Sequence, residues 1–101
     1  MSQPLDSIHH IAIEVANIQE AINWYQQHLK CDVAYQDETW GLLQFANLSI
    51  ALVLPGTHPP HIGIPCDQPE KYGEVKPHRD GTSSAYIQDP FGNWVEMIKL
   101  N

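Results

Sequence analysis

Basic residues are scarce in this chain. Five Lys and Arg stand against twelve Asp and Glu, giving a formal net charge of −7 over 101 residues. Nucleic-acid binding rests on Lys and Arg neutralising phosphates, so that class of partner is excluded, and an anionic membrane surface is disfavoured on the same ground. Long hydrophobic runs are also missing. None approaches the ~18 residues of a transmembrane helix. The opening residues Met1-Ser2-Gln3-Pro4-Leu5-Asp6 lack the basic-then-apolar plan of a signal peptide, and the expectation is a cytoplasmic protein. Cysteine is sparse: Cys31 and Cys66 are the two present, far apart and in no C-x-x-C spacing, and each reads as a small buried reduced thiol. What the chain does have is histidine. Six of them are a surplus for this length, a first hint of a metal or acid–base site. The remaining composition, 43% hydrophobic and 17% charged, suits one ordinary globular domain with a core of its own.

Residues 7–15, Ser-Ile-His-His-Ile-Ala-Ile-Glu-Val, alternate as a strand. Ile11, Ile13 and Val15 share a fatty face with His9, while His10, Ala12 and Glu14 share a polar face that reads as lining something. Asn17 is a good N-cap with Glu20 at the third helical position. Ile18, Ala21, Ile22, Tyr25 and Leu29 then recur at helical spacing, predicting a helix of ~13 residues over the fatty side of the first strand. Strands are predicted over 32–36, 40–45 and 49–54, with turns at 37–39 and 46–47. Pro55-Gly56-Thr57-His58-Pro59-Pro60 breaks the pattern and marks an internal boundary.

The second half begins like the first. His61-Ile62-Gly63-Ile64-Pro65-Cys66 echoes His10-Ile11-Ala12-Ile13-Glu14-Val15. Residues 67–72 occupy the place of the first half's helix but are too short and Pro-broken to make three turns. Strands follow at 83–88 and 94–100, joined by the turn Asp89-Pro90-Phe91-Gly92-Asn93. The chain therefore reads as two unequal copies of one unit, module 1 at about 7–55 and module 2 at about 60–101. Ile62, Ile64 and Met97 are expected on a sheet face that the short second helix leaves uncovered.

The repeat puts His10 and His61 at equivalent positions on the two leading strands. With the copies related by a pseudo-twofold axis, both imidazoles face inward, and Glu96 on the last strand approaches the same spot. A mid-strand Glu also has an ordinary reading, the wet face of a half-buried sheet. Two imidazoles and one carboxylate form a facial ligand set that leaves three metal positions open. The set suits Fe2+, Mn2+, Zn2+ or Ni2+ alike.

Three stretches, Ile8 to Val15, Trp24-Tyr25-Gln26-Gln27-His28-Leu29, and Asp89-Pro90-Phe91-Gly92-Asn93-Trp94-Val95-Glu96, together resemble the vicinal oxygen chelate superfamily. That superfamily includes glyoxalases, bleomycin-resistance proteins, extradiol dioxygenases, thiol transferases and methylmalonyl-CoA epimerases. The resemblance implies an α+β fold of paired βαβββ modules around a metal cleft, here with a reduced second helix. It implies that His10, His61 and Glu96 match the ligand positions, with Glu96 also the catalytic candidate, and that a homodimer is common. The chain departs from the pattern where many members carry a fourth ligand. Ala51 stands there, or Ile50 in a slipped register, and neither binds metal. This counts against glyoxalase or epimerase chemistry and favours the dioxygenase or transferase branches, with a lyase left open. Gln44 is a candidate to reach in from the neighbouring strand, and Glu14, His78 and Arg79 are candidates for the site's margin. Leu29 is followed by Lys30 where the family has glycine, so Lys30 takes a positive φ at a cost of ~1 kcal/mol or the helix ends differently.

The main functional reading is a metal-dependent small-molecule enzyme. The alternatives are a metal-free ligand-sequestering protein of the bleomycin-resistance type, and a scaffold that has kept ancestral ligand residues.

Overall fold

The computed structural model describes residues 4–100; of the leader reading above, Met1, Ser2 and Gln3 lie outside it. The chain divides into two compact units, His10–His61 and a second made of residues 62–100 with 4–9.

In the first unit β1 (His10–Glu14) leads into α1 (Ile18–His28), followed by β2 (Asp32–Gln36), β3 (Trp40–Gln44) and β4 (Ser49–Val53). The strands lie in the order β2-β3-β4-β1. β1 runs parallel to β4, with His10 opposite Ser49 and Ala12 opposite Ala51; the other two pairings are antiparallel. A parallel pair needs a crossover, and here the helix supplies it within one module.

The helix begins where the sequence predicts. Asn17 is extended, and its Oδ1 accepts from the Glu20 amide at 2.8 Å, satisfying one of the N–H groups the first turn leaves open. It ends differently from the glycine-type stop. Leu29 is extended at φ −131°, donates its N–H to the Tyr25 carbonyl, and leads the chain straight into β2. Among the described residues no non-glycine has positive φ, so Lys30 does not take the left-handed conformation.

Ile18 and Ile22 of the helix pack with Leu43 and Leu52, and Ile13, Val15, Tyr25 and Ile50 close around them. This is the fatty side of β1, covered as expected. Burying each of the two leucines, both at 0% exposure, contributes roughly 1.5–3 kcal/mol. The helix sits close enough that a β-carbon on Gly41 would meet Ile18 Cγ2 and Ile22 Cδ1, each at 3.2 Å. Glycine at that point of β3 lets the helix settle onto the sheet.

The second unit repeats the plan with less material. β5 (His61–Pro65, its first residue belonging to the first unit) is followed by a 3-10 turn at Pro69–Lys71, then β6 (Lys76–Pro77), β7 (Ser83–Gln88) and β8 (Trp94–Lys99). Their order, β5-β8-β7-β6, matches that of the first module strand for strand. The fold is thus α+β with paired βαβββ modules, and the second crossover is a single 3-10 turn.

Two expectations need correction. The two-residue β6 was not anticipated, because Lys76-Pro77 has no alternation to reveal it. Met97 is not uncovered: it is 7% exposed, in a unit where the 3-10 turn, with Pro69 buried in it, packs on β7 and β8. Ile62 does remain exposed, at 39%. The Asp89 turn is tightly bound, since Asp89 Oδ1 accepts from the amides of Phe91 and Asn93, and Gly92 takes φ 87°. That turn feeds β8 and sets its pairing with β7.

Among the described residues no helix is long and apolar enough to cross a membrane.

Candidate metal centre

His10 opens β1 and His61 opens β5, and both are buried, at 7% and 8% exposure. Their Nε2 atoms lie 3.1 Å apart, with the rings nearly perpendicular at 85°. His61 Nδ1 is 2.7 Å from the Pro59 carbonyl oxygen. A carbonyl only accepts, so Nδ1 carries the proton and Nε2 presents its lone pair. The contact with His10 then has His10 Nε2–H donating to His61 Nε2. The Pro59 carbonyl thus fixes the His61 ring in the tautomer that a metal-binding histidine uses.

The pair fits a metal on geometry as well as chemistry. With metal–nitrogen bonds of ~2.1 Å, nitrogens 3.1 Å apart correspond to an angle of about 95° at a shared ion, between the octahedral and tetrahedral values. Two neutral imidazoles at that separation suit first-row divalent ions.

Strand register shows what else shares this face. Ser49 lies beside His10 on β4, and Gln44 lies beside Ser49 on β3. Ser49 Oγ donates to Gln44 Oε1 at 2.8 Å, and Gln44 Nε2 donates to the Phe45 carbonyl at 2.7 Å. Gln44 is exposed and turned to its own hairpin. Ala51 sits one pair further along, between Ala12 and Leu42, so that position offers no donor. Glu14 ends β1 in an exposed position. A cavity of about 410 Å³ in the first unit lies instead between the start of the helix and residues 36–38, and none of the predicted site residues lines it.

In the second unit Glu96 is buried at 4% exposure in the middle of β8, opposite Tyr86 of β7. The solvent-face reading is excluded for it. Its Oε2 accepts from Ser84 Oγ at 2.8 Å and lies 3.3 Å from His78 Nε2. His78 Nε2 is in turn 2.7 Å from Ser84 Oγ. Because the Ser84 hydroxyl gives its proton to Glu96, His78 must donate to the serine oxygen. The bonds therefore run one way, from imidazole through hydroxyl to carboxylate. Tyr86 also hydrogen-bonds Glu96; burial first, and then the negative charge of Glu96, hold its phenol well above the usual tyrosine range.

His78 is positioned by a rigid turn. Its amide donates to the Thr82 carbonyl, and Asp80 Oδ1 accepts from both the amide and the hydroxyl of Thr82. Those Thr82 bonds, with His78 nearby, hold the Asp80 carboxyl below its ordinary value.

Sequence reasoning placed His78 at the margin of the site but missed Ser84 and Tyr86 as hydrogen-bond partners of Glu96. The signal was present in part, since the alternation of Ser84, Tyr86 and Gln88 puts them on one face of β7. Which face meets Glu96 depends on the β7–β8 register, and that is set by the Asp89 turn.

The strand order and the paired modules give this chain a glyoxalase-like fold, which it shares with solved structures. A superfamily member from Vibrio splendidus 12B01 aligns with TM-score 0.72 at 12% identity, over 95% of this chain and 100% of that one. Methylmalonyl-CoA epimerase from Mycobacterium tuberculosis aligns with TM-score 0.75 at 16% identity, over 100% of this chain and 93% of that one. A hypothetical protein from Bacillus halodurans C-125 aligns with TM-score 0.77 at 17% identity, over 97% and 96%. At these identities the likeness is one of fold. No family model matches the sequence, and no curated protein matches it.

Proposed function

We propose that this chain is a metal-dependent small-molecule enzyme in which His10, His61 and Glu96 hold one divalent ion. The observation that carries the reading is the buried imidazole pair, its Nε2 atoms 3.1 Å apart and the His61 ring locked by a backbone carbonyl. Glu96, buried in the second unit, is the proposed third ligand. When bound, the ion supplies Lewis acidity, polarising vicinal oxygens of a substrate and stabilising a developing enolate or oxyanion. Fe2+, Zn2+, Ni2+ and Mn2+ all suit two nitrogens and one oxygen.

The chain's own residues narrow the chemistry. An exchange of a carbon-bound proton needs a base beside the ion, and the first module offers none at Ala51. This supports dioxygenase- or transferase-type chemistry ahead of lyase or isomerase activity, although the structural likeness extends to an epimerase. Glu96 acts as ligand and is the catalytic candidate. The hydroxyls of Ser84 and Tyr86 hydrogen-bond it. Exposed Ile62 supports a homodimer, which sedimentation would register as a doubled mass.

The test is turnover of substrates carrying adjacent oxygens by protein stripped with a chelator and then reloaded. Activity that returns with about one ion per chain, and is absent from His61→Ala under the same loading, supports the reading. Ion-independent activity, or ligand binding with no turnover by the loaded protein, contradicts it and points to the sequestering alternative.

A further inference from the structure

The cavity in the first unit takes no part in the metal reading. It measures about 410 Å³, within the range of small-molecule sites, which run from about 300 to 1,000 Å³. Its place in the fold favours a ligand. β1 and β4 run parallel, and their pairing continues as Val15 donates its amide to the Val53 carbonyl at 2.8 Å. Ala16 and Leu54 follow those strand ends, and both line the cavity. It therefore lies just outside the carboxyl ends of two parallel strands joined by a helix, where α/β sheets commonly take their ligands.

The walls are tied together by side-chain bonds. Gln36 Nε2 donates to Gln19 Oε1 at 2.5 Å, and Gln19 Nε2 donates to Asn23 Oδ1 at 2.8 Å. That chain of amides joins the end of β2 to the helix. Asp37, on the adjoining turn, accepts from the hydroxyls of Tyr35 and Thr39 and from the amides of Thr39 and Trp40. Those bonds hold its carboxyl well below the usual range, so it keeps its charge at any working pH. Glu38 adds a second carboxylate, Ile18 and Leu54 supply apolar surface, and no Lys or Arg lines the cavity. A phosphate, the common guest of such a crevice, would meet two negative side chains and no positive one.

From this volume, position and lining we propose that the cavity is a binding site for a small organic cation, an ammonium group carried on a short apolar body. The ammonium lies toward Asp37 and Glu38, with the Gln36 amide oxygen as a further acceptor, and the carbon chain lies against Ile18 and Leu54. His10, His61 and Glu96 do not line the cavity, so its occupation does not require a bound ion.

The experiment titrates three probes of one size, n-butylamine, n-butanol and butyrate, into the isotope-labelled full chain while NMR follows the backbone and side-chain amides. Butylamine is expected to shift the signals of Gln19, Gln36 and Glu38 saturably, in the millimolar range that so few atoms allow, and butyrate to shift none of them. Glu38→Gln is expected to weaken butylamine by about 1.5–5-fold, the worth of one exposed charge pair, and added salt to act in the same direction. Ala16 is exposed, so Ala16→Phe brings a ring into the cavity from outside the core and is expected to abolish the shifts. Thermal melts establish that both variants are folded. Shifts by butanol or butyrate equal to those by butylamine would overturn the choice of a cation. No saturable shift of these residues with any probe, or butylamine shifts that survive Ala16→Phe, would overturn the site.

Discussion

Removing His10 should act on the metal-free protein and on the metal-bound protein through different terms. In the metal-free state His10 Nε2–H donates to His61 Nε2 at 3.1 Å in a buried setting. Truncation to alanine leaves the His61 nitrogen without that donor, a cost of about 1–3 kcal/mol. For a domain of ~100 residues each kcal/mol moves Tm by roughly 4–8 °C, so metal-free His10→Ala should melt well below wild type. Metal adds a second difference. An ion present at about 100 times its Kd stabilises the folded state by about 2.7 kcal/mol, which on the same scale raises the wild-type Tm by roughly 11–22 °C. His10→Ala should lose most of that rise, because one of two nitrogen ligands is gone. The assay is differential scanning fluorimetry across a metal titration for both proteins. A variant that is less stable without metal yet gains the full wild-type increment would refute the ligand role, and would leave the imidazole pair as packing alone.

Gly41→Val should destabilise by about 1–3 kcal/mol. Even its β-carbon would sit 3.2 Å from both Ile18 and Ile22, and the two further methyls must push the helix off the sheet. Urea denaturation measures this, and a neutral result would mean the helix is not closely docked. The acid limb of stability should depend on Asp37, whose carboxyl is held well below its usual range by the Tyr35 and Thr39 hydroxyls. A depressed folded-state value gives stability that is complete above the unfolded value of about 3.9 and is lost as pH falls from there toward the folded value. Asp37→Asn should flatten the Tm profile below about pH 4, and an unchanged acid limb would contradict this.

Much of the fold was legible because the two periodicities are clean where it matters. The alternation in β1 separates the residues facing the helix from His10, and the echo at His61 gives the repeat. Asn17 and the spacing of Ile18 and Ile22 locate the helix start. What escaped the sequence lies in pairings between distant segments. Met97 is buried in a unit where a turn too short to count as a helix packs on β7 and β8; Pro69 in that turn carries no periodic signal. β6 is visible only through its bonding to β7. The helix end at Leu29 was open because an extended residue stops a helix as well as a glycine does, with no signature of its own. The donors around Glu96 went unread for the same reason. A mid-strand carboxylate says nothing about which hydroxyls face it until the Asp89 turn has set the register of β7 against β8.

The central claim is that two histidines and one glutamate from the two modules hold a single ion. Its most direct test is elemental analysis of untagged protein purified without chelator, alongside Glu96→Gln. The account predicts about one divalent ion per chain in wild type and little in the variant, and the identity of the ion will narrow the chemistry. Equal metal in the two proteins, or none in wild type even after loading with iron, zinc, nickel and manganese in turn, would contradict it.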